Sequence, residues 1–600
     1  MTDSSPRRAD GYAPIRDYAA IGDGRTVALI ARDGSIDWLC LPNLDSPSVF
    51  GALLDARRGG RFVLAPAGPS RVERRYVPGT NVLETTFRTS DGAARVTDAL
   101  TLPGAGLPPL RELVRRVEGI SGDVRMAWRF EPRFGYGRVA PRIARRQRAL
   151  IATSGGEALA VSSWDAGDPR IEGAAAGAEF TVSEGGSAMI VLATATQEPV
   201  VLPGRAAVER RLADTIEFWQ GWTGKRRYEG AWSEAVLRSA LVLKLLAYAP
   251  SGAIAAAATT SLPEHPGGQR NWDYRFSWVR DAAFTLAALL SLDSDEEATT
   301  FLWWLLQASQ RTHPRLDVLY RLDGGTGTRE RELELEGYGG ARPVRIGNGA
   351  ASQLQLGIYG ELLEAALLHV SAHGRLDRDS GRRIAEIATL VCSLWRQPDL
   401  GIWEVRSDPR HFTHSKMLCW VALDRALRLA QNAIPGTRAP LWRHTADQIR
   451  DFVEHRCWSE EKRSYVRAQG SNEVDASLLL SGVVGFTDPG GRRALGTIAA
   501  IRRELAHGPL LHRYRGDDGL PGDEGAFLAC SFWLVDALAR AGRVDEAAEL
   551  MDELVSLGND VGLYSEEIDP SSGAFLGNMP QGLTHLALVN AAVSISRAAA

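Results

Sequence analysis

Apolar and polar positions alternate with a period of two along much of the first two hundred residues. RTVALIARDGSIDWLCLP holds two short apolar runs joined at Asp33-Gly34, a hairpin signal. NVLETTFRTSDGAARVTDAL repeats the arrangement around Asp91-Gly92. LRELVRRVEGISGDVRMAWRFEP alternates for several steps, and AEFTVSEGGSAMIVLATA does so around a Gly-Gly turn. Strands at this spacing predict an antiparallel β-sandwich over residues 1–203. Past Pro203 the period changes. RAAVERRLADTIEFWQGWTGK has helical spacing with i,i+4 charge pairs and reads as a linker helix within 204–229.

From 230 to 600 the pattern is almost wholly helical, with segments near 230–249, 278–292, 294–309, 348–371, 376–396, 412–431, 437–457, 473–482, 489–504, 523–541, 543–557 and 579–598. Twelve helices suit six helical hairpins closed into an (α/α)6 barrel. An open solenoid is disfavoured because no sequence period repeats. Two long loops, Ser251–Ser277 and Gln310–Gly347, interrupt the helices. Long loops on a rigid scaffold are where chemistry tends to sit.

Composition narrows the class. A net charge of -4 with 24% charged and 44% hydrophobic residues fits neither a polybasic nucleic-acid binder nor a disordered acidic chain. Cys40, Cys392, Cys419, Cys457 and Cys530 form no CxxC pair, so free thiols in a reducing compartment are expected, not a zinc site or disulfide framework. The start MTDSSPRRADGYAPIRDY has no apolar leader core. The most apolar stretch, Ala235 to Leu262, carries Arg238, Lys244 and Pro250. A cytoplasmic protein with no membrane or nucleic-acid partner is expected. Oligomeric state is not legible, and a homo-oligomer is compatible with the chain.

Three loops combine Trp, Tyr, Arg and carboxylates. Sugar sites use that mixture, because aromatic faces cover the apolar face of a pyranose and planar charged groups make paired bonds to vicinal hydroxyls. NWDYRFSWVRDAAF holds Tyr274, Trp278, Arg280 and Asp281 ahead of an apolar helix. A capping acid with a salt bridge would explain it structurally; gripping sugar hydroxyls is the functional alternative. PDLGIWEVRSDPRHFTHSK centres on Trp403-Glu404. It could be a surface loop with an i,i+2 charge pair, but a carboxyl against an indole is partly desolvated, which suits a general acid. GLYSEEIDPSSGAF holds Glu566, Glu567 and Asp569. Such a cluster is commonly a solvated face, yet its flanks are apolar. Two separated acidic loops with sugar-binding aromatics suggest glycoside hydrolysis.

Together these segments resemble the glucoamylase and trehalase group, glycoside hydrolase family fifteen, over nearly the whole chain. DYAAIGDGRTVALIARDGSIDWLCLPNLDSPSVFGALLD resembles the β-sandwich of its bacterial members. YRFSWVRDA is similar to the substrate-gripping motif, LGIWEVR to the general-acid motif, and YSEEIDP with GNMPQGLTHLALVNAA to the general-base motif. The resemblance implies an inverting exo-hydrolase that releases β-glucose from an α-glucoside. It puts the general acid on Glu404, the base on Glu566 and the water-holding tyrosine at Tyr274. Arg280 and Asp281, with Arg513 from HRYRGDDGLPGDEGAF, would hold the non-reducing glucose. Arg345 and Asn348, from ARPVRIGNGAASQLQLGIYGE, would lie near the pocket. Glu567 is a substrate-binding candidate beside the base, and Trp278, Trp403 and Tyr320 are stacking candidates. Inversion requires about 6.5–9.5 Å between the two carboxyls.

Trehalose is placed first as substrate, because the N-terminal and middle segments look most like trehalase-like members. Malto-oligosaccharide and isomaltose follow; the chain ends just after its last helix, which leaves no room for a starch-binding domain. An inverting disaccharide phosphorylase is the rival enzyme, disfavoured because Glu566 would repel phosphate. A non-catalytic sugar-binding protein would not need both acids. No ligand cluster is evident, so neither a metal nor another cofactor is assigned; His411 and His414 read as structural.

Overall fold

The computed structural model describes residues 8–102, 111–432 and 434–599. The first seven residues, and with them part of the segment read as lacking a leader core, lie outside these. Fifteen antiparallel strands form one hydrogen-bonded sheet before residue 200. Its spine is the 21-residue strand Arg111–Glu131. The first half of this strand pairs with Gly92–Leu100 and Ser187–Thr196, the second half with Arg61–Pro66 and Ala175–Ser183. The strand therefore belongs to both halves of the sheet. The handover falls at Gly122, whose φ is +61° and where a Cβ would sit 2.1 Å from the Asp91 carbonyl oxygen. Only glycine fits both demands. Phe62, Trp128 and Phe130 from one half and Val114, Val117 and Leu192 from the other feed one continuous core.

The helix Arg205–Thr223 leads into twelve helical segments. Six of them, Ala282–Ser291, Gly357–His373, Thr413–Leu429, the short 476–483 piece, Leu528–Arg540 and Gly582–Ala599, pack each on the next. The last closes on the first. The other six pack outside this ring. The sequence distinguishes the two layers. Leu528–Arg540 buries every residue except Arg540, as a helix surrounded by others must. Val544–Ser556 buries only Ala547, Met551 and Leu554, a single stripe at i, i+4 and i+7. One predicted boundary moves: the segment expected at 348–371 becomes helical only at Gly357. Asn348 instead caps a 3₁₀ turn, accepting from the Ala350 N–H at 2.9 Å, and Gln353 is extended. The asparagine side chain competes with the helix for backbone donors. No helix among the described residues is long and apolar enough to cross a membrane.

One side chain ties the sheet to the barrel loops. Arg275, 1% exposed, donates twice to Asp273 (2.8 and 2.7 Å), to the Ser46 carbonyl (2.9 Å) and to the Tyr136 hydroxyl (2.9 Å). Its guanidinium also lies 5.8 Å from the Trp38 ring centre, and the Trp38 indole N–H donates to the Ala258 carbonyl at 2.8 Å. The 270s loop is thus bonded to the sheet through a buried ion pair. Breaking such a pair strands the partner charge in a dry site, at a cost of about 3–5 kcal/mol. Arg275→Met should lower stability by that amount in urea unfolding.

Candidate active site

The barrel's long loops converge on a narrow cleft lined among others by Trp272, Tyr274, Asn348, Trp403, Glu404 and Arg513. Glu404 stands on a tight turn with φ +59°, a left-handed conformation that a non-glycine residue adopts at a cost. Its Oε1 accepts from the Trp278 indole N–H at 2.7 Å and from Arg280 Nη1 at 3.2 Å. These bonds engage one carboxyl oxygen, and Glu404 itself lines the cleft. The aromatic partner of Glu404 is therefore Trp278 and not its chain neighbour. Trp403 turns its indole N–H to Asp475 (2.9 and 3.1 Å) and packs on Phe527 and Trp533, reaching the cleft only as part of its wall.

Glu566 approaches from the other acidic loop. It is 1% exposed, and its Oε2 accepts from the Asn578 N–H at 3.3 Å. Gly577 makes this fit possible: at φ +70°, a Cβ there would lie 2.4 Å from that same oxygen. Glu566 Oε1 is buried without a protein partner among the described residues. Burial pushes the Glu566 carboxyl up to about 7, while Arg513, Tyr274, the Asn578 N–H and Arg280 pull it down. Tyr274 stands within electrostatic reach of both acids. Its ring lies 5.3 Å from Trp278, and its hydroxyl is raised by burial and then by the charges of Glu566, Glu264 and Glu404. Glu404 and Glu566 thus act on one phenol from two separate loops.

Arg280 donates to Asp281 at 2.8 Å and to the Ile402 carbonyl at 3.3 Å. Asp281 makes no capping bond to the helix it precedes, so the capping explanation fails and the salt bridge stands. Arg513 donates to Glu524 at 2.9 Å and to Glu264 at 3.0 Å. Asn348 lines the cleft with its amide occupied by the Ala350 N–H and the Asp273 carbonyl. Glu567 is fully buried and accepts from the Gly525 N–H at 2.9 Å.

Two expected contacts need correction. Tyr320, expected to stack on sugar, is fully buried, with its hydroxyl bonded to Thr312 at 2.8 Å and to the Asp317 N–H at 3.1 Å. It sits on a two-residue strand paired with Ser277–Trp278, which turns it into the core. Arg345 stands behind the cleft wall. It covers the Trp272 ring at 4.5 Å and donates to the Gln269 and Asn271 carbonyls at 2.8 and 3.2 Å. Six charged or aromatic groups of the cleft had not been singled out: Glu264, Arg270, Trp272, Tyr514, Asp518 and Glu524. Glu264 lies in PEHP, inside the long 251–277 loop; an acid held between two prolines was the available signal.

A closed helical ring with one glutamate lining an aromatic and arginine-rich cleft, and a second, buried one from a separate loop near Tyr274 of that cleft, fits a glycoside hydrolase. Residues 230–593 match the family model described as glycosyl hydrolases family 15, and residues 8–214 match the trehalase-like N-terminal model. The chain belongs to glycosyl hydrolases family 15. It is 39% identical to a trehalase of Mycobacterium tuberculosis, with 100% of this chain and 92% of that protein covered. It is 36% identical to a trehalase of Thermoplasma volcanium, covering 98% and 94%. A crystal structure of bacterial glucoamylase complexed with acarbose shares the fold, with a TM-score of 0.75 at 13% identity over 99% of this chain and 97% of that one.

The Trp278 N–H bond to Glu404 gives a direct test. A hydrogen bond to a charged group contributes about 1.5–3 kcal/mol, so Trp278→Phe should lower kcat roughly 10- to 150-fold while the fold, read by circular dichroism, is kept.

Proposed function

We propose that the protein hydrolyses α,α-trehalose to two glucose molecules, with inversion at the carbon attacked by water. The observation that carries the reading is the placement of Glu404 and Glu566 on separate loops around Tyr274, one open to the cleft and one buried beside Arg513 and a backbone N–H. Full-length similarity to two trehalases supports trehalose as the substrate.

In this reading Glu404, protonated, gives its proton to the glycosidic oxygen as the bond to the anomeric carbon breaks. Glu566, ionised, takes a proton from a water that attacks the opposite face through its unpartnered Oε1. Tyr274 orients that water between the two acids. Arg280, Asp281 and Arg513 grip the hydroxyls of the glucose whose anomeric carbon reacts, which makes the site a closed end and the action exo. Trp272 and Asn348, on the cleft wall, contact the leaving glucose. Five free cysteines and the absence of a paired thiol among the described residues fit work in a reducing, cytoplasmic compartment.

Incubated with trehalose, maltose and isomaltose, the protein should turn over trehalose fastest and release one β-glucose per bond cleaved, followed by proton NMR of the fresh product. Retained α-configuration at both products, or glucose 1-phosphate formed only with phosphate present, overturns the reading. Glu404→Gln and Glu566→Gln should each lower kcat at least a hundredfold, within the range general acid–base groups contribute (roughly 10²–10⁴).

The pH dependence has a definite sign. Glu566 works ionised and its carboxyl is pushed up to about 7. The acidic limb of kcat/KM should therefore rise with pH through about 7, with activity falling about tenfold per pH unit below it. A limb centred near the ordinary glutamate value would show that Glu566 is not the base.

A further inference from the structure

Along one wall of the cleft and just beneath it, five carboxylates meet two guanidiniums. Arg270 pairs with Asp518 (2.6 and 2.9 Å) and with Glu524 (2.5 Å). Arg513 pairs with Glu524 through Nε and Nη2 at 2.9 and 2.7 Å. Asp518 and Glu524 thus balance the two arginines one for one. Glu264, Glu566 and Glu567 remain, and all three are at most 2% exposed. Glu264 Oε2 lies 3.0 Å from Arg513 Nη2, and Glu567 Oε1 lies 3.5 Å from the same nitrogen. Glu264 Oε1 and Glu567 Oε1 are both buried with no hydrogen-bond partner among the described residues. Two carboxylates beside one guanidinium, each with an orphan oxygen in a dry site, cannot both carry a charge cheaply.

We propose that Glu264 and Glu567 share a single proton and act as a clamp of one negative charge that positions Arg513 against the cleft. Glu264 is then a positioning residue for the reaction read above, on which this inference rests. The proton removes the repulsion between the two carboxyls and leaves an O–H that satisfies an orphan oxygen. Arg513 is held by Glu524 on one side and the pair on the other, with no freedom to swing away from substrate. A single charge, not two, then stands near Glu566. The groups facing the pair are Arg513 and Glu524 from the 512–525 loop, Glu566 just ahead of the Glu567 strand, Arg270 and Tyr274 from the 270s loop and Arg345 on the side of Glu264, and Cys530 on the side of Glu567. Burial raises both carboxyls well above the ordinary range; the charge of Glu264 adds to the rise at Glu567, and that of Glu566 to the rise at Glu264.

Charge counting gives a test that two independent acids would fail. In Glu264→Gln the proton leaves and Glu567 stays ionised; in Glu567→Gln the reverse holds. Either substitution keeps one negative charge beside Glu566. The acidic limb of kcat/KM should therefore stay within about 0.3 pH unit in each single variant, whatever happens to kcat through Arg513. The double variant removes the last charge, so Glu566 ionises more easily and the limb should move to lower pH. Infrared difference spectra of the full-length protein at pH 7 read the proton without turnover. Each single variant should lose a protonated-carboxyl C=O band and no carboxylate band.

Loss of a carboxylate band in the singles, or a limb shift in one single as large as in the double, overturns the proposal. If one single variant fails to fold, the other carries the test, since either removes the same proton. The parent protein, titrated to pH 9, should keep a protonated-carboxyl band that Glu361→Gln, at a separate buried acid, does not remove; its absence overturns the proposal without touching the pair. A chain with the expected bands but no action on any α-glucoside would overturn the hydrolase reading and leave the shared proton standing.

Discussion

A guanidinium taken out of water must have its donors met, and Arg275 meets them from two domains at once. Asp273 supplies two acceptors from the barrel loop, while Ser46 and Tyr136 supply the others from the sheet domain. The same few residues of chain then carry Tyr274, Trp278, Arg280 and Asp281. Asp273 also accepts from the Gly347 N–H at 3.1 Å, and its carbonyl accepts from Asn348. The sheet domain is therefore a support for the cleft and not an appendage. Its fixed contacts determine where Tyr274 and the arginine that bonds Glu404 can stand, which is the kind of rigid backing that precise catalytic geometry requires.

Charge balance is the second constraint. The barrel loops bring acids into a volume where each unpaired charge is costly, and the arginines are distributed to match them. Arg280 serves Asp281 and Glu404; Arg270 serves Asp518 and Glu524; Arg513 serves Glu524, Glu264 and Glu567. Arginine suits these places because its planar fork can address two carboxylates at once and stays charged when buried. Lys225, Lys244, Lys416 and Lys462 are the only lysines among 69 basic residues, and none of them lines the cleft. In this interior the arginine bias keeps the buried carboxylates paired.

Periodicity made the architecture legible because burial has a geometric signature. The i, i+4, i+7 stripe of Val544–Ser556 and the nearly all-apolar Leu528–Arg540, interrupted only by Ser531 and Asp536 before its final Arg540, are outer-helix and inner-helix patterns that can be read without coordinates. Side-chain direction has no such signature in a loop. Trp403 and Glu404 are adjacent in sequence but leave the turn on different sides, so the indole expected to desolvate the acid packs on Trp533 and the acid finds Trp278 from 126 residues away. Tyr320 fails as a sugar platform for the same reason: a two-residue strand fixes which way it faces, and nothing in RLDVLYRLDG records that register. Glu264 was passed over because a single acid in a proline-rich loop looks like a solvated turn until the Arg513 that faces it, 249 residues on, is seen.

The backbone at the two central glutamates carries the argument one step further. Glu404 holds a positive φ that its side chain makes unfavourable, and Glu566 fits only because Gly577 has no Cβ. The first is a local cost, of order 1–3 kcal/mol for a strained non-glycine residue, and it persists only where the surroundings fix the conformation. The surroundings here do so. The Leu400 carbonyl accepts from the Val405 N–H at 3.2 Å and closes the turn around Glu404. Next along the chain, the Arg406 N–H is bonded to the Asp518 carbonyl at 2.8 Å. Asp518 is in turn the acid that Arg270 holds. The turn that presents one glutamate is thus tied to the ion-pair cluster behind the other, through a chain of buried bonds that leaves neither free to relax alone. A fold shared with a glucoamylase at 13% identity can keep its helices while exchanging almost every side chain.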